Sequence, residues 1–269
     1  EPAIEARNKR ADTISAYVAA KCLPARIRID PRMVYLKSTT KEIIGALYNY
    51  LPGKTIAWEA YTKTHLKQLG KIMSDLHAAL RDFDTSRQIS VIDEQSALLE
   101  RMERYFESPD VKKAMTDKLS LSFKVTFDRY ERLLKGCRAL PNTQQLHMDF
   151  VRGNILFQDE EISGILDFEK TAVGHPLFDV ARTLAFLLVD CKYKTEDEVR
   201  NYFIQSGYHK RGAAKLEYYP ELLERLTEFF LVHDFYKFLR HNPYEDLSSN
   251  EHFIRTVSIL TRGGVLHYT

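Results

Sequence analysis

The chain has 269 residues, of which 44% are hydrophobic, enough for a sizeable core and, as a prior, about two domains or lobes. Its 39 basic and 37 acidic residues leave a formal net charge of +2, which argues against a general binder of nucleic acids. Three widely spaced cysteines, no apolar run of membrane-spanning length and no secretory signal argue against a disulfide framework, a zinc site and a membrane partner, so we expect a cytoplasmic protein.

The first part of the chain predicts one helix followed by short strands. Residues 3–22 are rich in Ala, Arg and Lys and lack Gly and Pro, so they predict a helix that Pro24 ends. The segments RIRID, MVYL and IIGALYNYL carry β-branched and aromatic residues and predict two or three short strands. Residues 51–53, LPG, then predict a turn.

The rest of the chain predicts helices around one β-hairpin. Residues 58–83 place their apolar side chains at helical spacing, residues 92–137 predict two or three amphipathic helices, and long helices follow from residue 177. Between these helices, residues 146–157 and 161–168 predict a strand pair around the polar turn QDEE.

The residues best suited to catalysis flank this strand pair. His147, Asp149 and Asn154 have the H-x-D-x-x-x-x-N spacing of a kinase catalytic loop, and Asp167 in LDFE stands where kinases carry the Asp of D-F-G. A carboxylate beside an acceptor hydroxyl can take or orient its proton, and an amide oxygen with a second carboxylate can hold Mg²⁺ on a triphosphate. Because Asn154 precedes one strand and Asp167 follows the other, a hairpin would bring both to the same end.

These segments resemble the aminoglycoside phosphotransferase/choline kinase family, small-molecule relatives of the protein kinases. The family patterns L-x-H-G-D-x-x-x-x-N-I-L and I-D-F-E-x-x-x-x-G-x-P-x-x-D-L-A are matched by Leu146, His147, Asp149, Asn154, Ile155, Leu156, Asp167, Phe168, Glu169, Gly174, Pro176, Asp179 and Ala181. The segment LGKIMSDLHAAL resembles the family's L-G-x-x-x-x-x-L-H helix, and LYNYLPG resembles the segment that joins its two lobes.

The resemblance implies an α+β, bilobal, protein-kinase-like fold. It assigns residues 1–51 to a small, incomplete β-containing N-lobe with a hinge near residues 48–53, and residues 52–269 to a large, mostly helical C-lobe. It also implies ATP and Mg²⁺ as cofactors, and a small-molecule acceptor with a hydroxyl group.

The same resemblance implies site residues. Asp149 would be the catalytic base, and Asn154 and Asp167 would be the metal ligands. The adenine would contact the backbone of Tyr48, Asn49 and Tyr50.

Four more residues are assigned supporting roles. We expect His147 to hydrogen-bond backbone and fix the shape of the loop, and Asp179 to cap its helix or hold the catalytic loop. Arg152 would either meet a phosphate or pair with a carboxylate. Glu169 would either assist the metal through a water molecule or remain solvated. His77, outside this group, reads as a satisfied core histidine.

The sequence departs from the family pattern at several points. Met148 replaces the glycine of the catalytic loop, and His175 stands where the family often has Asp, a position we expect to be structural. No glycine-rich phosphate loop and no lysine on a preceding strand are recognisable; Glu5 is a weak candidate for the acidic partner of such a lysine, and Lys9 or Lys37 for the lysine itself. The chain starts with Glu directly in helix-like sequence, so we expect that an N-terminal segment precedes it in the natural protein.

The acceptor is harder to predict. The resemblance suggests an aminoglycoside first, while choline, an amino alcohol such as homoserine, or a sugar stay open. In the family, acidic residues of the C-terminal helices receive cationic substrates, and here His233 and Asp234 are the candidates.

Two alternatives belong to other classes. A pseudokinase or nucleotide-binding module acting through a partner is favoured by the missing phosphate loop and disfavoured by the retained Asp149, Asn154 and Asp167. A protein kinase is less favoured, since no activation loop or A-P-E segment follows DFE. The oligomeric state stays open.

Overall fold

The computed structural model describes residues 2–37, 42–86, 89–210 and 219–269, which form an α+β fold. Its helices are α1 Pro2–Ala20, α2 Lys63–Leu80, α3 Val91–Glu107, α4 Pro109–Leu119, α5 Asp128–Cys137, α6 Leu177–Asp190, α7 Glu196–Arg200, α8 Pro220–His241, α9 Tyr244–Leu247 and α10 Glu251–Arg262. Its strands are β1 Val34–Lys37, β2 Glu42–Gly45, β3 Leu121–Phe123, β4 Gln144–Leu146, β5 Ile155–Gln158, β6 Glu161–Ile165, β7 Ala172–Gly174 and β8 Leu266–Tyr268.

The strands pair two by two. Antiparallel pairs form between β1 and β2, β3 and β8, β4 and β7, and β5 and β6. The pairs β4–β7 and β5–β6 enclose the segment that holds Asp149 and Asn154. Strand pairing therefore fixes both ends of the predicted catalytic loop.

The β5–β6 hairpin connects the N-terminal part of the chain to the helical part. Lys54 and Phe157 exchange two backbone hydrogen bonds of 2.9 Å, which adds a short strand beside β5. On the other edge, the amide of Ile165 donates to the carbonyl of Pro24 at 2.7 Å, beside β6. The chain at Pro24 and the chain at Lys54 are thus bound to the two edges of the same hairpin.

The helical part encloses an apolar core. All of α6 except Phe186 is buried, and its longest packing surface is against α8, which contributes buried leucines, phenylalanines and a valine. A helix that is buried on nearly every side reads as apolar throughout, as LFDVARTLAFLLVD does apart from a few polar residues. Those polar residues include Asp179 and Arg182, both of which serve the site described below.

Most of the predicted elements are present, with shifted boundaries. The helix predicted over residues 3–22 is α1, and the helix predicted from residue 58 begins only at Lys63, where Thr62 and His65 form a reciprocal cap. Residues 51–53, predicted as a turn, form neither a turn nor a bend, although Gly53 has a φ of 108°. The segment RIRID forms only an isolated bridge, Arg28 to Tyr48, instead of a full strand.

The strand predicted over residues 146–157 is wrong over most of its length. Only Ile155–Gln158 pairs with the following strand, while Gln144–Leu146 pairs with Ala172–Gly174 instead. The residues between them leave the strand because their amides bond to side chains, as described next. No described helix has both the length and the apolar character needed to cross a bilayer.

Candidate active site

The segment between β4 and β5 is a tightly bonded loop. The carboxylate of Asp179, at the start of α6, accepts hydrogen bonds from the amides of His147 at 2.8 Å and Met148 at 2.6 Å. Farther along, the hydroxyl of Thr183 donates to the carbonyl of Phe150 at 3.0 Å. Both contacts tie the loop to α6, so Asp179 is the buried partner of the loop rather than a helix cap.

Asp179 is itself held in a buried network. Burial alone would raise the pKa of its carboxyl, but the hydrogen bond from His77, with the charge interactions of His77 and His147, lowers that pKa below its ordinary value. His77 donates from Nε2 at 3.1 Å, and its Nδ1 lies 2.6 Å from the hydroxyl of Tyr208. Both nitrogens of this buried imidazole are therefore satisfied, which confirms the interpretation of His77 as a core histidine.

His147 is fixed as a neutral imidazole. It is fully buried, and burial lowers its pKa in spite of the nearby Asp179 and Asp149. Its Nδ1 accepts from the amide of Asp149 at 3.2 Å, so Nε2 must carry the proton that bonds to the carbonyl of Leu166 at 3.1 Å. His147 thus bonds to backbone on both sides, as the sequence predicts, and joins the loop to the end of β6.

Met148 holds an unusual backbone conformation. Its φ is 61°, in the left-handed region that glycine adopts without steric cost, and its side chain is 6% exposed. The family's glycine at this position is explained by the turn that the chain makes here. In this chain a buried methionine occupies the same turn.

Asp149 lies at the mouth of the loop with two polar partners. The side-chain amide of Asn154 donates to both its carbonyl and its Oδ2, each at 2.9 Å. Lys170 approaches its Oδ1 with Nζ at 2.9 Å, and the lysine side chain is 60% exposed. Asp149, which is 7% exposed, is thus oriented by Asn154 on one side, and its charge is compensated by the exposed Lys170 on the other.

Asn154 and Asp167 come together at one end of the hairpin. The amide of Leu166 donates to the carbonyl of Asn154 at 2.8 Å, and Ile155 pairs with Ile165, so Asp167 leaves β6 beside Asn154. Asp167 has a φ of 56°, and its Oδ1 accepts from the amide of Glu169 at 3.2 Å. The structure brings these two residues and Asp149 to one place, which the sequence predicts from the hairpin.

The donors at this end suit a magnesium ion. Both hydrogen bonds of the Asn154 side chain use its nitrogen, so its oxygen stays available as a ligand, and its backbone is bonded to Leu166, which precedes Asp167. Mg²⁺ in nucleotide sites is commonly held by one or two protein oxygens together with phosphates and water. In the described residues no group of three His, Cys, Asp or Glu side chains is placed to hold a metal ion by itself.

The predicted adenine segment is partly engaged in backbone pairing. The amide of Asn49 donates to the carbonyl of Ile27 at 2.9 Å, and its side chain accepts from the amide of Ile27 at 2.6 Å. Tyr48 lies between the paired residues, so its own amide and carbonyl point to the opposite edge. Tyr50 is 85% exposed. Adenine contact by these three residues stays a prediction.

The remaining predicted residues occupy various surroundings. Glu169 pairs with Arg7 of α1 at 2.9 Å, and Glu5 accepts a hydrogen bond from Tyr35. Arg152 lies in the 3-10 turn of the loop and forms no ion pair within the described ranges, so a phosphate contact stays a prediction for it. Lys9 is exposed on α1 and Lys37 ends the exposed strand β1.

His233 and Asp234 lie on α8, and Asp234 is already paired. Arg182 of α6 reaches both of its carboxylate oxygens at 3.0 Å, with both side chains largely buried. His175, the other departure from the pattern, is buried, accepts from the amide of Leu177 at 3.2 Å and has a pKa of about 4 because of burial and the charge of His77. It is structural, as expected.

The sequence alone missed four residues of the site. Lys170, Arg182, Tyr208 and Lys237 contact or electrostatically influence the predicted set, yet none belongs to the motifs. Lys170 carries a usable signal, since it follows DFE directly. Arg182 directly follows Ala181, the last residue of the second motif, whereas Tyr208 and Lys237 come from distant segments that only packing brings near.

Comparisons with known proteins agree with this geometry. The model of the family described as "Phosphotransferase enzyme family" matches residues 19–216, while a search of curated proteins finds no match. Among solved structures, the amicoumacin kinase hAmiN is 14% identical with a TM-score of 0.68, covering 94% of this chain and 74% of that one. Aminoglycoside phosphotransferase APH(4)-Ia, in a thermostable mutant, is 15% identical with a TM-score of 0.59, covering 96% and 84%. Choline kinase from Cryptosporidium parvum Iowa II is 14% identical with a TM-score of 0.55, covering 94% and 78%. These likenesses confirm the bilobal, protein-kinase-like fold.

Proposed function

Because the chain belongs to the phosphotransferase enzyme family, we propose that it transfers the γ-phosphoryl group of ATP to a hydroxyl group of a small molecule. The observation that carries this proposal is the meeting of Asp149, Asn154 and Asp167 at one end of the β5–β6 hairpin. A scaffold without catalysis has no need for Asp149 to be oriented by Asn154, or for Asn154 and Asp167 to meet at the same end of a hairpin.

The reaction assigns a role to each of the three. Asp149 orients the acceptor hydroxyl and takes its proton while the acceptor oxygen bonds to the γ-phosphorus and the bridging oxygen leaves with ADP. Asn154 and Asp167 would hold Mg²⁺, which would neutralise phosphate charge when it is bound with the nucleotide. The exposed Lys170 keeps a positive charge beside the reacting groups.

The names of these structural neighbours support the class of acceptor and leave its identity open. They name amicoumacin, hygromycin B and choline among the molecules concerned, and AMP-PNP, ADP and Ca²⁺ among the bound ligands. These molecules belong to different chemical classes, so the family does not single out an aminoglycoside. A cytoplasmic location, where ATP is available, belongs to the same proposal.

The first test is substitution of the proposed base. We expect Asp149→Asn to lower kcat by about 10²–10⁴-fold, the range for loss of a general base, because the amide keeps the shape of the carboxylate but cannot accept the proton. The measurement is ADP release with a panel of alcohols in the presence of Mg²⁺, alongside the thermal unfolding midpoint of both proteins. Full activity in a folded variant would remove Asp149 from this role.

The second test concerns the metal ligands. Mg²⁺ is expected to raise the affinity of the wild-type protein for AMP-PNP, and Asp167→Ala to abolish that dependence, because one of two protein oxygens is lost. Isothermal titration with and without Mg²⁺ measures both effects without requiring turnover. If the alanine variant still responds to Mg²⁺ like the wild type, Asp167 does not hold the metal.

A nucleotide-binding module without catalysis is the second candidate, favoured by the absence of a recognisable phosphate loop among the residues of the sequence. It predicts AMP-PNP binding in the titration and no Asp149-dependent ADP release with any alcohol. The two experiments together separate the candidates.

A further inference from the structure

The surroundings of Asp149 on the side of α6 and α8 are cationic. Lys170 pairs with its carboxylate at 2.9 Å. The guanidinium of Arg182 on α6 lies 4.0 Å from the centre of the Phe186 ring, and its Nη1 donates to both carboxylate oxygens of Asp234. Lys237, one helical turn after His233 on α8, completes the group.

Lys237 is a half-buried cation without an ion-pair partner among the described residues. It forms no hydrogen bond or ion pair with any residue that the structure describes. Burial lowers its pKa, and the charges of Arg182 and Lys170 add to this effect, while Asp234 and Asp149 oppose it. Arg182 already binds Asp234, and Lys170 already binds Asp149, so neither carboxylate pairs with the ammonium group of Lys237.

His233 adds an unpaired polar atom to the same place. Its Nδ1 is buried and finds no hydrogen-bond partner among the described residues. Burial lowers its pKa to about 2, helped by Arg182, Lys237, Lys170 and Arg101, so the imidazole is neutral. A buried polar atom without a partner costs about 1–3 kcal/mol unless a ligand or water satisfies it.

The acidic residues that would receive a cationic acceptor are already engaged. Asp234 is bound by Arg182, and Asp190 lies 3.3 Å from His252. The acids farther along the C-terminal helices pair or cap in the same way, as seen for Glu196 with Arg262, Glu198 with Thr195, Glu245 with Lys118 and Glu251 with Lys192. A cationic substrate would therefore meet repulsion near Asp149 and find these carboxylates compensated.

We propose that the acceptor is an alcohol that also carries an anionic group, a carboxylate or a phosphate, and that Lys237 binds this group while His233 hydrogen-bonds the acceptor. The inference rests on the proposed phosphotransferase function and deepens it by assigning the charge class of the acceptor. It replaces the expectation of a cationic acceptor received by Asp234.

The γ-phosphate of the nucleotide is the competing occupant for Lys237. The position of Lys237 argues against it, because Lys237 follows Asp234 on α8 and Asp234 binds Arg182 of α6. The next residue of α6, Thr183, contacts the carbonyl of Phe150 beside Asp149, whereas Asp167 follows β6 at the metal end. A lysine that serves the nucleotide would lower AMP-PNP affinity when replaced, whereas one that serves the acceptor would not.

The test uses four hydroxylated compounds of comparable size and different charge. Glucosamine, glucose, gluconate and glucose 6-phosphate are titrated into the full chain saturated with Mg²⁺ and AMP-PNP. The two anions are expected to bind at least about tenfold more tightly than glucose, as one charge-assisted contact provides, with glucosamine the weakest. Gluconate against glucose 6-phosphate separates a carboxylate from a phosphate acceptor.

Variants locate the effect. Lys237→Met is expected to remove the tenfold preference for anions and to leave AMP-PNP affinity unchanged, and Lys237→Arg to keep the preference. Lys113→Met, which removes an exposed cation from α4, is the matched control and should change neither affinity.

Three results overturn the inference: glucosamine binding as tightly as the anions, no measurable binding of either anion, or a Lys237→Met variant that loses AMP-PNP instead. ADP release distinguishes this failure from failure of the proposed function. Asp149-dependent phosphoryl transfer to cationic alcohols would refute only the proposed charge of the acceptor. Anion binding without any transfer would refute only the proposed catalytic function.

Discussion

Met148 shows how a single residue departs from its family without changing the fold. Its left-handed φ is a conformation that costs an L-residue about 1–2 kcal/mol, and Asp167 has the same feature at the metal end. Strain of this kind persists where surrounding bonds determine the backbone. Here Asp179 accepts from the amides of His147 and Met148, the two successive backbone amides that precede the Met148 Cα. The buried side chain offsets part of the strain by apolar contact.

Stability of two variants separates the strain from the burial. Met148→Ala loses the buried side chain and keeps the strain, whereas Met148→Gly loses the side chain and releases the strain. We therefore expect the glycine variant to be about 1 kcal/mol more stable than the alanine variant, the reverse of the usual order of these residues. Urea unfolding of both proteins measures the difference; an alanine variant as stable as the glycine variant would contradict it.

At the scale of elements, the approach of α2 to the segment 201–210 shapes the site. The segment consists of a π-helical turn, Asn201–Gln205, and a 3-10 turn, Tyr208–Lys210. A Cβ on Gly70 of α2 would lie 2.0 Å from the carbonyl oxygen of Phe203, and a Cβ on Gly207 would lie 3.0 Å from the Cα of Gly70. The two glycines permit the backbone contact that brings Tyr208 to His77, and through His77 to Asp179 and the catalytic loop.

Replacement of one of these glycines tests this packing. Gly70→Ala should destabilise the protein by more than about 1 kcal/mol, because the clash involves backbone and outweighs the helix propensity gained. Gly136→Ala in α5 is the matched control, since its Cβ would meet nothing within 4 Å, and it should stabilise by about 0.5–1 kcal/mol.

Thermal and urea unfolding of the two variants provide the measurement. Opposite signs for the two substitutions are the expected result. A stabilising Gly70→Ala substitution would mean that α2 and the 201–210 segment do not touch in solution.

At the scale of the whole molecule, three buried histidines make stability depend on pH. Burial lowers the pKa of His147, lowers that of His175 to about 4 together with the charge of His77, and lowers that of His233 to about 2. In the unfolded chain each titrates near its ordinary value of 6.5. Below that pH the unfolded state binds protons that the folded state does not, so the folded state loses stability as the pH falls.

The expected slope follows from the number of protons. Each histidine removes about 1.4 kcal/mol of unfolding free energy per pH unit between its unfolded and folded pKa values. The unfolding free energy should therefore fall steeply between pH 6 and about 4.5. His175→Asn, whose side-chain oxygen can accept from the Leu177 amide, should reduce the slope by one proton; an unchanged slope would show that His175 is protonated in the folded state.

The sequence predicted well what depends on local pattern. The spacing of His147, Asp149 and Asn154 beside a hairpin and the long amphipathic helices are encoded by residues close to each other in the chain. It failed where backbone groups bond to distant side chains. The strand expected through residue 147 is a loop, because its amides bond to Asp179 of another element.

By itself, the sequence determined the family and the three residues proposed for catalysis and metal binding. A short motif specifies both the residue types and their spacing, and a hairpin then brings these residues close together. Only the tertiary structure decided which charged side chains are compensated. Lys170 reaches Asp149 from a loop, and Arg182 of α6 reaches Asp234 of α8, because packing brings these segments together. Electrostatic interaction depends on distance through space and burial, which a chain position does not encode.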